Sequence, residues 1–119
     1  MESKAVVKAL GALAQESRLG IYRLLVERGP EGFTPSELAE QLSVPAPTLS
    51  FHLKELQHAD LVVSRRLGRN LFYSANFASM NELVAYLTEN CCSLVNNDCA
   101  TSCAPTPKPK SRSKPRRVR

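Results

Sequence analysis

The stretch Thr34–Leu61, TPSELAEQLSVPAPTLSFHLKELQHADL, decides the fold. Thr34 is placed to cap a helix, with Pro35 in its first turn and Glu37 three residues on to reach back to the cap. Ser43-Val44-Pro45 breaks that helix, because proline offers no amide and disfavours a helical residue before it. Pro47 opens a second helix that runs to about His58, and its Leu49, Leu53 and Leu56 recur at helical spacing on one face. Two short helices joined by so tight a break make a helix-turn-helix, the alternative being an ordinary hairpin inside a helical bundle. The face away from the leucines carries Pro47, Phe51, Lys54 and Glu55, flanked by Thr48 and Ser50. Phe51 puts a large ring where solvent is expected. It either folds onto a neighbouring segment or meets a thymine methyl or sugar in a DNA major groove.

Outward from this pair, the period changes after Leu61. Val62–Leu67 and Asn70–Ser74 are short β-prone runs separated by Gly68-Arg69, a two-residue loop suited to a type II′ hairpin. Arg65, Arg66 and Arg69 make this hairpin the dense basic patch of the folded part. A charged hairpin is often only a solvated edge. Following a helix-turn-helix, it reads as a wing that grips phosphate or the minor groove. The fold class is mainly α with a small β-hairpin, a winged helix-turn-helix.

Toward the N-terminus, Val6, Val7, Leu10, Leu13 and Ala14 mark one helix. Ser17 is set to cap a second helix, whose buried face is Leu19, Tyr22, Leu25 and Val26 and which ends at Gly29-Pro30. Glu31–Phe33 is a loop, and the Thr34 helix turns Leu38, Ala39 and Leu42 inward. A last helix starts near Asn76 or Ser79 and runs through Leu83, Val84 and Leu87 to Cys91. A lone amphipathic helix needs a surface to cover, so a symmetric homodimer built from the first and last helices is expected.

The formal charge of +5 belongs to the tail. Lys108, Lys110, Arg112, Lys114, Arg116, Arg117 and Arg119 follow Cys103 without an acid, and removing these seven charges leaves residues 1–103 at −2. From Ala104 on, the text is Pro, Lys, Arg and Ser, which reads as disordered. No apolar run is long enough to span a bilayer and no signal peptide is legible, so a cytoplasmic protein is expected. Three regions result: 1–92, a DNA-binding and dimerisation domain; 93–103, a cysteine-bearing segment; and 104–119, the basic tail.

All four cysteines, Cys91, Cys92, Cys99 and Cys103, fall in one short segment, which favours soft-ion binding or redox chemistry over a disulfide scaffold. A thiol enzyme is disfavoured, because its nucleophile belongs at a helix N-terminus or in a basic pocket. These cysteines sit at or beyond a helix C-terminus. Three thiolates suit a thiophilic trivalent ion such as As(III), whereas zinc usually takes four ligands. A four-thiolate zinc or cadmium site and a regulatory disulfide remain as alternatives.

The segments LAQESRLGIYRLL (13–25), ELAEQL (37–42), PTLSFHLKELQHADLV (47–62), RRLGRNLFY (65–73) and LTENCC (87–92) together resemble the ArsR/SmtB family of winged-helix repressors. The resemblance implies a homodimer on double-stranded operator DNA of dyad symmetry, released when an inducer binds. Ser50 and His52 match the family's recognition-helix pattern and Arg69 its wing tip. His52 also flanks the apolar face, where it would be a satisfied core-edge histidine. Phe51 departs from a position the family often fills with a polar or basic residue. The family's thiol box on the first helix of the helix-turn-helix is absent, since Glu37–Leu42 holds no cysteine. The last helix holds no histidine for the family's second metal site. LTENCC is similar to a branch of arsenic-responsive repressors, which implies As(III) (or Sb(III)) bound by Cys91, Cys92 and Cys99, with Cys103 as a further thiol. A constitutive, sequence-tolerant DNA binder using the basic tail is the rival reading.

Overall fold

The elements run in the order α1 (Ser3–Leu13), α2 (Glu16–Arg28), α3 (Pro35–Leu42), α4 (Ala46–His58), β1 (Val62–Leu67), β2 (Asn70–Ala75) and α5 (Phe77–Thr88). They come from a computed structural model that describes residues 1–95. The chain divides into two units, Met1–Leu87 and one beginning at Thr88.

Local chemistry fixes the helix-turn-helix as expected. Thr34 Oγ1 accepts from the Glu37 amide at 3.2 Å and Glu37 Oε1 accepts from the Thr34 amide at 2.9 Å, the two halves of a capping box. At the other end of α3, Ser43 takes a left-handed conformation (φ 54°) and the Val44 amide donates to the Ala39 carbonyl at 3.2 Å. α4 begins one residue earlier than Pro47, at Ala46. It ends in a Schellman motif: Asp60 is left-handed (φ 66°), its amide donates to the Gln57 carbonyl, and the Leu61 amide donates to the Leu56 carbonyl. That turn drives Leu61 into the core beside Ile21, Leu25, Leu38, Leu49 and Leu56. Burying each such side chain contributes about 1.5–3 kcal/mol relative to leaving it in water.

The remaining helices lie where the sequence places them, but the cap and buried face of α2 and the end of α5 differ from expectation. In α1 the buried residues are Val6 and Ala9, while Val7 and Leu10 are 66% and 40% exposed. The domain offers α1 one narrow contact face, and the apolar stripe is wider than that face. α2 is capped by Gln15, whose Oε1 accepts from the Arg18 amide at 2.9 Å, and Ser17 lies inside the helix. Ile21 is fully buried with Leu25, beside Tyr22, while Leu19 is 42% exposed. α5 is capped by Asn76, whose Oδ1 accepts from the Ser79 amide at 3.2 Å, and it stops at Thr88, short of Cys91. Asn90, left-handed at φ 58°, turns the chain off the helical path.

The loop before α3 also holds a feature that periodicity missed. Phe33 pairs with Tyr73 as an isolated antiparallel bridge, its amide donating to the Tyr73 carbonyl at 2.9 Å and receiving the Tyr73 amide on its own carbonyl at 2.8 Å. Gly32 makes this approach (φ 76°), since a Cβ there would overlap the Tyr73 carbonyl. β1 and β2 pair antiparallel from Val62↔Ala75 to Leu67↔Asn70, so the bridge adds a short third member beside β2. Among the described residues, no helix is long and apolar enough to cross a membrane.

Candidate nucleic-acid interface and sensor cysteines

Leu49, Leu53 and Leu56 hold α4 onto the core, and this fixes which residues the helix offers outward. Pro47, Thr48, Ser50, Phe51 and Lys54 are exposed, and together they form one open face. Phe51 is 57% exposed and does not fold onto a neighbouring segment; its ring contact is with His52 next to it, centroids 5.7 Å apart. A single exposed apolar side chain is common on a protein surface, so it is the setting of Phe51 among Pro47, Thr48, Ser50 and Lys54 that makes this face a candidate contact surface.

His52 leaves the outward set. It is 7% exposed, and its Nδ1 lies 3.5 Å from Nη1 of Arg18. Arginine can only donate, so this contact favours the neutral ring with Nδ1 accepting and the proton on Nε2. Burial holds its pKa below the ordinary histidine value, the Arg18 charge adds to this, and Glu55 opposes it. Arg18 also donates from Nε to the Ala12 carbonyl at 2.7 Å, so one guanidinium bridges the end of α1 and the recognition helix. Sequence reasoning missed Arg18, because nothing in its local pattern separates it from a solvated helical arginine.

The wing stands next to this face. Gly68 has φ 66° and Arg69 has none of the positive-φ character, which is the signature of a type II′ turn. At the near end, Gln57 Nε2 on α4 donates to Ser64 Oγ on β1 at 3.3 Å, linking recognition helix and wing. Arg66 and Arg69 are exposed along the hairpin. Arg65 is also exposed, but its Nη2 donates to the Glu31 carbonyl at 3.1 Å and its guanidinium lies 5.5 Å from the Phe72 ring centroid. The geometry joins an open helix face to an arginine hairpin, and both are suited to a nucleic-acid duplex.

The cysteine segment begins in the second unit. Cys91 is exposed and free, and Cys92 is left-handed at φ 61° and disulfide-bonded. Their sulfurs lie 3.5 Å apart. Two thiolates about 2.3 Å from one ion at a tetrahedral angle sit roughly 3.8 Å apart, so once Cys92 is reduced these adjacent cysteines off the helix are within reach of one ion. Cys99 and Cys103 lie outside the described residues. Among the described residues, no group of three or more His, Cys, Asp or Glu side chains is placed to hold a metal.

Residues 13–65 match a family model described as a helix-turn-helix domain. The chain is 37% identical over 79 residues to the HTH-type transcriptional regulator KmtR of Mycobacterium tuberculosis, covering 66% of this chain and 58% of that relative's length. It is 31% identical over 87 residues to the arsenical resistance operon repressor of Staphylococcus aureus, covering 73% of this chain and 81% of the relative. Among solved structures, an ArsR-like transcriptional regulator from Rhodococcus sp. RHA1 superposes with a TM-score of 0.64 at 31% identity, covering 71% of this chain and 76% of the other. The homodimeric winged helix-turn-helix DNA-binding domain from Mycobacterium bovis superposes with a TM-score of 0.58 at 27% identity, covering 73% and 81%. These relatives are named as regulators or repressors, and none as an enzyme. With the helix order, the capped helix-turn-helix and the arginine wing already in place, these likenesses assign the chain to the ArsR/SmtB family of winged-helix transcriptional regulators.

Proposed function

We propose that the protein is a homodimeric, DNA-binding repressor that leaves its operator when As(III) binds its C-terminal cysteines. The observation that carries the DNA reading is the open face of α4, Pro47, Thr48, Ser50, Phe51 and Lys54, set beside the exposed Arg66 and Arg69. One recognition helix per subunit enters successive major grooves of a dyad-symmetric operator, and the wings grip phosphate nearby. Thr48 and Ser50 supply hydrogen bonds to base edges, Phe51 supplies apolar contact, and Lys54 and the wing supply salt-dependent affinity. The homodimer is supported by Val7 and Leu10 on α1 and Leu87 on α5, which face outward, and by the dimeric Mycobacterium bovis neighbour. α1 and the start of α5 border one cleft of about 310 Å³, so both helices belong to one side of the domain.

In the reduced protein As(III) would be held by Cys91, Cys92 and Cys99, with Cys103 in reserve, and Sb(III) shares its thiophilic chemistry. The 3.5 Å between the first two sulfurs and the likeness to an arsenical resistance operon repressor support this reading. Inducer and operator are linked reciprocally. If As(III) weakens operator binding by a factor of ~5–150, operator weakens As(III) binding by the same factor. A second reading, release on thiol oxidation, is favoured by one observation: Cys92 is disulfide-bonded. Zinc or cadmium on four thiolates is a third inducer chemistry.

The test is operator binding titrated in parallel with arsenite, antimonite, zinc, cadmium and peroxide. Arsenite at saturation should release the DNA, and the Cys91→Ser/Cys92→Ser protein should bind DNA normally and ignore arsenite. Unchanged operator affinity at saturating arsenite sinks the As(III) assignment. Release by peroxide alone installs the oxidation reading in its place.

A further inference from the structure

We infer that Arg65 is a positioning residue that braces the wing against the loop between α2 and α3, leaving phosphate contact to Arg66 and Arg69. The inference rests on the DNA-binding reading above and refines it. Arg65 pairs with Phe72 across the ladder, so both side chains share one face of the hairpin. The guanidinium stacks over that ring and passes across β2 to the Glu31 carbonyl, 3.1 Å away. The far side of the brace is itself held. Arg28 Nη2 pairs with Glu31 Oε1 at 3.3 Å, Arg28 Nε donates to the Gly32 carbonyl at 3.1 Å, and the Arg28 guanidinium lies 4.9 Å from the Phe33 ring centroid. Phe33 in turn exchanges two backbone hydrogen bonds with Tyr73 on β2.

These contacts close a circuit through β1, β2, the Phe33 bridge and the loop, with an arginine stacked on an aromatic ring at each side. A two-stranded hairpin is marginal by itself, so a wing that must meet a duplex at a set angle needs such support. Arg66 pairs with Leu71 on the opposite face and Arg69 sits in the turn. The described residues give neither of them a hydrogen bond or an ion pair. Their charges remain available where the charge of Arg65 is directed back across the sheet.

The full chain is first used to select a duplex from random-sequence DNA. Affinity is then measured against salt for Arg65→Gln, for Arg66→Gln/Arg69→Gln, and for the triple variant, with amide hydrogen exchange followed in the absence of DNA. Arg65→Gln is expected to lower affinity about tenfold in the otherwise native protein, roughly 1.4 kcal/mol. In the Arg66→Gln/Arg69→Gln background it should change affinity less than about twofold, because a brace matters only while it positions those charges. Exchange at the Phe33 and Tyr73 amides should rise in Arg65→Gln and stay native in Arg66→Gln/Arg69→Gln. An equal loss in both backgrounds, with the salt slope falling by about 0.9, would make Arg65 a phosphate ligand and overturn the inference. Native exchange at Phe33 and Tyr73 in Arg65→Gln overturns it too. If the full chain enriches no duplex, the DNA-binding reading fails by itself, and the exchange measurement still decides whether Arg65 braces the wing.

Discussion

His52 shows how much depends on one side chain's orientation. Its position on the α4 wheel borders both faces, and only the three-dimensional neighbour, Arg18 from α2, draws it inward. A residue at such a border is not legible from sequence, because the deciding partner is 34 positions away. Phe51, one residue earlier, was legible as facing away from the i, i+4, i+7 leucines, but whether its ring folds onto a neighbouring segment was not, and the structure leaves it 57% exposed. The inward histidine has a pH consequence. Its pKa is lowered in the fold by burial and by Arg18, so the native state favours the neutral ring. The unfolded chain therefore takes up the proton at higher pH than the folded one. Its contribution to stability is complete above the unfolded value of about 6.5 and is lost as pH falls through the depressed folded value. Urea denaturation at pH 7.5 and 5.5 should show the native protein losing more stability on acidification than His52→Gln does. Equal losses would mean that Arg18 and burial do not act on this ring.

Among the elements, those defined by neighbouring residues were readable and those defined by distant ones were not. The α3 cap, the break at Ser43–Pro45 and the Gly68-Arg69 turn each depend on backbone demands within a few residues, so their sequence signals are strong. The cap of α2 and the end of α5 depend on what the rest of the fold presents, and there the reading slipped by two or three positions, from Ser17 to Gln15 and from Cys91 to Thr88. The Phe33–Tyr73 bridge has no period at all, and Gly32 was its one available signal. The capping box can be tested directly. Thr34→Ala removes the side-chain acceptor for the Glu37 amide and should cost about 1 kcal/mol, read as a lower urea midpoint with unchanged slope. Thr34→Ser should recover most of that loss. No shift in Thr34→Ala would show that solvent satisfies the end of α3 equally well.

Across the whole molecule, the first unit supplies a core and an outward DNA-reading face, while Val7, Leu10 and Leu87 stay exposed on α1 and α5. An apolar set of this kind on one side of a small domain is what a two-fold interface covers. Leu10→Lys should shift the protein from dimer to monomer in sedimentation and weaken operator binding, with helix content by circular dichroism unchanged. A Leu10→Lys protein that remains dimeric places the interface elsewhere. The proposed sensor was legible in the sequence as a cluster of four cysteines, two of which lie outside the described residues. What the structure added is that Cys91 has left the helix.

The Phe33–Tyr73 bridge also carries a consequence in time. It closes a loop of about 40 residues that encloses the whole helix-turn-helix, and closing so long a loop costs roughly 3 kcal/mol of chain entropy. Two backbone hydrogen bonds return only about 2 kcal/mol. The bridge therefore cannot nucleate the fold: it forms only once α3 and α4 have condensed and brought Phe33 back to Tyr73, so the helix-turn-helix is the template on which the third strand position is laid.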